Sequence, residues 1–312
     1  MPGLTTGEFY SLSCALIWAA AVIMFRKGGE QVPPVALNFF KDAVALALFL
    51  VTLPLLGRSL APPECGWREW VTLLVSGALG IGIADTLFFA SLNRLGAVGS
   101  AVVDSLYSPF VVLVAFLYLG EPLRLPVLLG AGLMVSAIIV GTSQAGPVAA
   151  APPDAPAAVP APAAHPARRE AVLGVALGLA AMALMAIGIV IAKPVLNRTD
   201  AWWAATVRVI GGTAFLAVQA LFPRNRAAVA ACFRPSRVWR YTVPGAVIGA
   251  YFAMVIWVLG FKHTAAGVAG VLNQTSSIFV LILAALFLRE RVTWRKALAI
   301  GMAFAGAVIV IL

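Results

Sequence analysis

The thirty residues from Leu95 to Arg124, LGAVGSAVVDSLYSPFVVLVAFLYLGEPLR, recur without a gap as Thr264 to Thr293, TAAGVAGVLNQTSSIFVLILAALFLRERVT. In that register Asp104 falls on Asn273, Ser108 on Ser277 and Glu121 on Glu290. The same offset of 169 aligns Pro54 with Pro223, Trp70 with Trp239 and Gly132 with Gly301. It also places Ser76, Gly80 and Ala84 on Gly245, Gly249 and Ala253. One offset held over this length marks an internal duplication, so the fold must be two copies of one unit.

Each unit is too apolar to be soluble. Hydrophobic residues make up 62% of the chain and charged ones 11%, which cannot cover the surface of a 312-residue globule. Apolar runs recur instead at the length of about 20 residues that a helix needs to cross hydrocarbon. They lie at Glu8–Phe25, Val35–Leu56, Trp70–Leu92, the repeated stretch from Leu95, Pro126–Thr142, Ala171–Ala192, Trp202–Phe222, Tyr241–Phe261, Gly267–Leu288 and Lys296–Leu312. The expected fold is an all-α polytopic membrane protein of ten transmembrane helices. No basic segment precedes the first span, so it reads as a mature helix rather than a cleaved signal. Residues 1–143 form the first five-helix repeat and 170–312 the second. Residues 144–169, rich in alternating Pro and Ala, join them as an extended linker. Five helices per copy is an odd number, so the copies enter the membrane in opposite senses and form inverted repeats, as in many secondary transporters.

The net charge of +10 does not indicate nucleic acid. Basic residues gather in short connections such as Arg224–Arg240 and Arg289–Lys296. Connections after the odd-numbered spans hold 14 of the 22 Lys and Arg residues and those after the even-numbered spans hold 6. Lys41 and Arg208 lie within spans. The positive-inside rule then puts the odd connections in the cytoplasm and both termini outside. Cys14, Cys65 and Cys232 form no paired framework, so neither zinc nor structural disulfides are indicated. No GxxxxGK[ST], HExxH or GxSxG motif is present, which argues against ATP-driven transport and against an enzyme.

The candidate site residues are the polar and aromatic groups inside spans. A carboxylate there costs about 2.5–3.5 kcal/mol on insertion scales, so it faces the bundle interior or water. Asp85 and Asp104 are such groups. Asp85 either contributes to a cavity or pairs with Lys41 or Arg208 as a structural ion pair. Lys41 and Asp42 are adjacent and are expected to point apart, each needing its own partner or the membrane interface. Asp104 shares a face with Ser100 and Ser108; it either faces a cavity or hydrogen-bonds between helices, and it is the favoured coupling group, with Asp85 its rival. Its counterpart Asn273 can hydrogen-bond but cannot titrate. Ser108 and Ser277 sit near mid-span, where transporter sites lie. Pro109 removes a backbone donor and frees the carbonyl of Ser105. Asn273 and Gln274 offer polar groups in the second copy, and Trp18, Tyr107, Tyr251 and Trp257 could wall an apolar solute. Ser76, Gly80 and Ala84, with Gly245, Gly249 and Ala253, are expected to let helices three and eight pack closely. Glu121 and Glu290 stand at helix ends beside Arg124, Arg289 and Arg291 and read as anchors. No metal or cofactor is indicated.

Two five-helix repeats, each closing its fourth helix on a glutamate (LYLGEPLR and LFLRERVT), with Trp18 midway along the first span, resemble the EamA-like family of the drug/metabolite transporter superfamily. The resemblance implies ten helices in the cell membrane and ATP-independent movement of small solutes, from amino acids to drugs. It also implies cytoplasmic termini, opposite to the charge count. Where the first copy has Trp18 the second has Leu184 or a neighbour. Glu8 stands at the edge of the first span, away from the position of the coupling glutamate of the superfamily's small multidrug members. The leading expectation is a proton-coupled exporter of small metabolites, acting as a monomer or homodimer. The alternatives are a membrane enzyme acting on lipid-linked substrates and a channel.

Overall fold

The computed structural model describes residues 5–122, 125–142, 167–290 and 292–311, and every regular element in them is a helix. The helices are α1 (Thr6–Gly29), α2 (Pro34–Leu55), α3 (Trp67–Asp104), α4 (Tyr107–Leu119), α5 (Leu125–Thr142), α6 (Ala167–Arg198), α7 (Ala201–Leu221), α8 (Pro223–Cys232), α9 (Trp239–His263), α10 (Ala266–Leu288) and α11 (Trp294–Ile311). Seven of them, α1, α2, α3, α6, α7, α9 and α10, are long and apolar enough to cross a membrane. The expected linker lies outside the described residues except for its last three, Ala167-Arg168-Arg169, which open α6. Arg124 and Arg291, expected beside the closing glutamates, also lie outside them.

The third and fourth expected spans form one helical path, bent at Gly96. That residue has φ 75° and ψ 174°, which an L side chain adopts only under strain. The bend turns the chain back and leaves the amides of Ala97 and Val98 at a new helix start. Glu290 fills that start: Oε1 accepts from the Ala97 N–H at 2.9 Å and Oε2 from the Val98 N–H at 3.2 Å. Its cationic neighbour is Arg26, at 3.8 Å. Glu290 is thus an anchor, as its place at a helix end suggested, but it closes a helix of the other half. Glu121 makes no corresponding bond among the described residues. At that position Lys193 donates to the carbonyls of Phe261 and of Thr264, the latter at 2.8 Å, and closes the end of α9. Glu8 is occupied in a capping box with Thr5.

Helix pairings are reciprocal between the halves. α1 packs on α9 and α10, and α6 packs on α3 and α4; α2 packs on α7, and α5 on α11. The glycines show how these pairs approach. A Cβ on Gly77 would run into the backbone of Arg208, and one on Gly211 into the backbone of Leu74, so α3 and α7 cross in contact there. The expected close pairing of helices three and eight through Gly80 and Gly249 is not found. A Cβ on Gly80 would meet only the Arg208 guanidinium, at 3.5 Å, and Gly249 faces Ala21 and Phe25 of α1. The small residues do serve helix approach, with α1 as the partner of Gly245 and Gly249 and α6, through Gly188, as the partner of Ser76 and Gly80.

Both α3 and α9 also loosen into a π-helical turn, Ala78–Ala84 and Ala246–Phe252. The Asn38 amide of α2 donates to the carbonyls of Ile81 at 2.8 Å and Gly82 at 3.2 Å, meeting acceptors of the first of these turns. Beside it, Lys41 is 1% exposed. Its Nζ lies 2.6 Å from Asp42 Oδ1 and 2.8 Å from Asp85 Oδ2, which ties α2 to α3. Lys41 and Asp42, expected to point apart, share one ion-pair cluster because the long lysine stem folds back over its neighbour.

Two consequences are measurable as thermal stability in detergent. Gly77→Ala and Gly211→Ala should each lower the melting temperature, while Gly301→Ala, with nothing within 4 Å of its added methyl, should hold or raise it. Lys41→Met leaves two buried carboxylates without a counter-ion and should cost roughly 3–5 kcal/mol. Lys27→Met, which removes an exposed pair with Glu30, should cost about 0–1 kcal/mol.

Candidate functional site

A cavity lies between the helices of the bundle, walled by both halves. α1 contributes Cys14, Ala15 and Trp18; the loosened turn of α3 contributes Gly80, Ile81 and the following Asp85. Gly249 comes from the matching turn of α9, followed by Ala253, Met254 and Trp257. Met185 enters from α6 and Arg208 from α7. The π turns widen the helix locally and displace its face, which is how residues of α3 and α9 reach the centre.

The remaining wall is made by two helix breaks. The path α3–α4 is interrupted at Ser105–Leu106, where Leu106 N–H turns back to the Val103 carbonyl at 3.1 Å. α10 is interrupted at Gln274–Thr275, where Gln274 N–H reaches the Val271 carbonyl at 2.9 Å. Side-chain hydroxyls add bonds to carbonyls at each break: Ser105 donates to Val102 at 2.6 Å, and Thr275 to Leu272 at 2.8 Å, where its own N–H also reaches at 3.2 Å. The breaks expose Asp104 and Tyr107 on one side and Asn273, Gln274 and Ser276 on the other. A much smaller space adjoins, and Trp18 and Asp104 line both.

Of the sequence-derived candidates, Trp18, Asp85, Asp104, Tyr107, Trp257, Asn273 and Gln274 therefore share one cavity wall. Ser105, Ser108, Ser277 and Tyr251 do not line it. Ser105 caps its helix break, and the Ser108 hydroxyl is buried without a partner. Ser277 donates to the Ala101 carbonyl at 3.1 Å and ties α10 to α3. Tyr251 exchanges a 2.6 Å hydrogen bond with Thr52, and its ring packs edge-on to Phe49 with centroids 4.8 Å apart. Asp85 makes the expected ion pair with Lys41 and also faces the cavity.

The polar groups of the wall differ in what they already hold. The Asp104 carboxylate has no hydrogen bond or ion pair among the described residues. Asn273 spends its amide on the Ala269 carbonyl at 2.8 Å. The hydroxyl of Tyr107 and Oε1 of Gln274 are buried without partners. Arg208, missed as a site residue, is 1% exposed, and its guanidinium lies 5.0 Å from the Trp257 ring centroid. Its charge inside an apolar span is the signal that marks it in the sequence. Met185, Met254 and the glycines of the π turns carried no signal, since nothing local in sequence marks a widened helical turn.

Comparison with known proteins agrees with this architecture. The model of the EamA-like transporter family matches residues 5–142 and again residues 172–312. Two uncharacterized transporters of Archaeoglobus fulgidus are similar to parts of the chain. One is 32% identical over 138 residues, 44% of this chain and 49% of the relative. The other is 48% identical over 52 residues, 17% of this chain and 19% of the relative. The chain thus matches less than half the length of either curated relative. A solved crystal structure superposes over 99% of both chains with a TM-score of 0.69 at 20% identity, a likeness of fold alone. With a family match across both halves and a bundle of apolar helices, the chain is a multi-pass protein of the cell membrane that belongs to the EamA-like transporter family.

Proposed function

We propose that the protein is a secondary transporter that exports a small organic solute through the central cavity. Ten spans arise if α3 is divided at Gly96, its second limb continuing into α4, and α5 and α11 complete the halves. The reciprocal pairings, α1 on α9 and α10 against α6 on α3 and α4, are what an inverted repeat requires. The observation that carries the reading is the cavity itself, which draws its walls from both copies and sits at two helix breaks. Breaks of this kind are tolerated at membrane depth only where protein or a water-filled site covers them. Because one chain supplies both halves of the cavity, a monomer suffices.

Asp104 is the coupling group in this scheme. It is the one acid of the cavity wall free of any hydrogen bond or ion pair among the described residues, and its counterpart Asn273 cannot carry a proton. A proton taken up at Asp104 would be exchanged against solute as the halves rock about the cavity. Asp104→Asn keeps size and most hydrogen bonding. Reconstituted in vesicles with an imposed pH gradient and assayed with a panel of labelled organic acids, amino acids and amines, the variant should fold and exchange solute down its gradient. It should lose proton-driven accumulation. Accumulation like that of the wild type, with the same pH dependence, removes Asp104 from coupling.

A further inference from the structure

The two cations inside the bundle occupy equivalent places in the duplicated sequence. Lys41 and Arg208 are 167 residues apart, the offset that also relates Trp18 to Met185 and Arg26 to Lys193. Their surroundings differ. Lys41 is held by Asp42 and Asp85 at 2.6 and 2.8 Å. At the matching positions the second half has Val209, 167 residues after Asp42, and Met254, 169 residues after Asp85. The second copy therefore keeps the cation and lacks both of its acids.

Arg208 shows the result. No carboxylate lies within 4.0 Å of its guanidinium among the described residues. Nη1 donates to the Ser76 hydroxyl at 2.5 Å, and that hydroxyl itself donates to the Gly188 carbonyl at 2.5 Å. Nε is buried without a partner, and Nη2 makes no hydrogen bond among the described residues. Nη2 lies over Gly80, on the cavity wall, where the missing side chain leaves room beside it. A guanidinium carries five N–H donors and accepts nothing, so one buried with a single hydrogen-bond acceptor is poised to receive an anion. A buried unpaired charge is otherwise expensive in a membrane.

We infer that Arg208 binds a carboxylate on the transported solute, so that the cavity selects carboxylate-bearing molecules over neutral or cationic ones; the inference rests on the transporter reading above. One guanidinium balances one negative charge, which suits a carboxylate better than a phosphate monoester bringing nearly two. The remaining wall of Trp18, Met185, Met254 and Trp257 suits an apolar or aromatic body behind that head group. Asp85 stands on the same wall and acts on Arg208 through space, but it is not within 4.0 Å of the guanidinium and its Oδ2 is held by Lys41.

Three probes with one carbon frame isolate the head group: 3-phenylpropionate, 3-phenylpropionamide and 3-phenylpropylamine. Binding to the full chain in lipid nanodiscs can be followed by tryptophan fluorescence. The carboxylate should bind at least about tenfold more tightly than the amide, with the amine weakest. Arg208→Gln should weaken the carboxylate by about 10- to 100-fold, the loss of a charge-assisted bond, and leave the amide within about twofold. Arg208→Lys, which keeps the charge without the fork, should retain part of the preference and serves if the glutamine variant does not fold. The inference is overturned if the wild type binds the amide or amine as tightly as the carboxylate, or binds none of the three. It is overturned equally if Arg208→Gln keeps the preference, which would leave Arg208 a counter-charge to the Lys41 cluster. Proteoliposome exchange separates this from the broader reading. Arg208-dependent binding without exchange leaves the site standing and removes the transport function. Exchange of any solute that is indifferent to Arg208→Gln does the reverse.

Discussion

Lipid offers no hydrogen bonds, so a backbone amide or carbonyl released at membrane depth must find a partner within the protein. This chain releases several, and the π turns of α3 and α9 and the two helix breaks are each places where the cavity wall is made. The structure depends on supplying partners there. Asn38 from α2 meets the carbonyls of Ile81 and Gly82, and the hydroxyls of Ser105 and Thr275 meet those of Val102 and Leu272. Regular helices would have been simpler to satisfy, but they would have presented only side-chain stripes to the centre. The irregular turns bring backbone and small residues to the cavity, which is why Gly80 and Gly249 belong to its wall rather than only to helix contacts.

Charge inside the bundle follows the same economy of partners. Lys41 draws Asp42 and Asp85 together and holds α2 against α3, so one acid of the cavity wall is already spoken for. Asp104 and Arg208 are not. The duplicated halves differ here: the acid Asp104 stands opposite the amide Asn273, and Lys41 with two acids beside it stands opposite Arg208 with none within 4.0 Å among the described residues. The scaffold is repeated while the chemistry is divided between the copies.

Much of this could be read from the residues. The duplication, the helical class and seven of the cavity residues follow from one offset, from span length and from polar groups in apolar runs. What escaped depends on three-dimensional closeness. The Lys41 stem folds over its own neighbour, which helical spacing does not suggest. Gly77 and Gly211 mark the crossing of α3 and α7, but spacing alone favoured the stripe of Ser76, Gly80 and Ala84. Ser105, Ser108, Ser277 and Tyr251 are polar residues at membrane depth like the others. Their positions relative to a break or a neighbouring helix keep them off the cavity wall, and one sequence does not carry that distinction.

The bond from Glu290 to the amides of Ala97 and Val98 also has a bearing on the order of synthesis. The helix it closes is made early, and the acid that closes it comes more than 190 residues later, near the end of the chain. Until then the bend at Gly96 leaves two donors that only water or a lipid head group can meet. The first half therefore gains this cap only when the last helices are made, and a chain truncated before residue 290 would leave the Ala97 and Val98 amides without it.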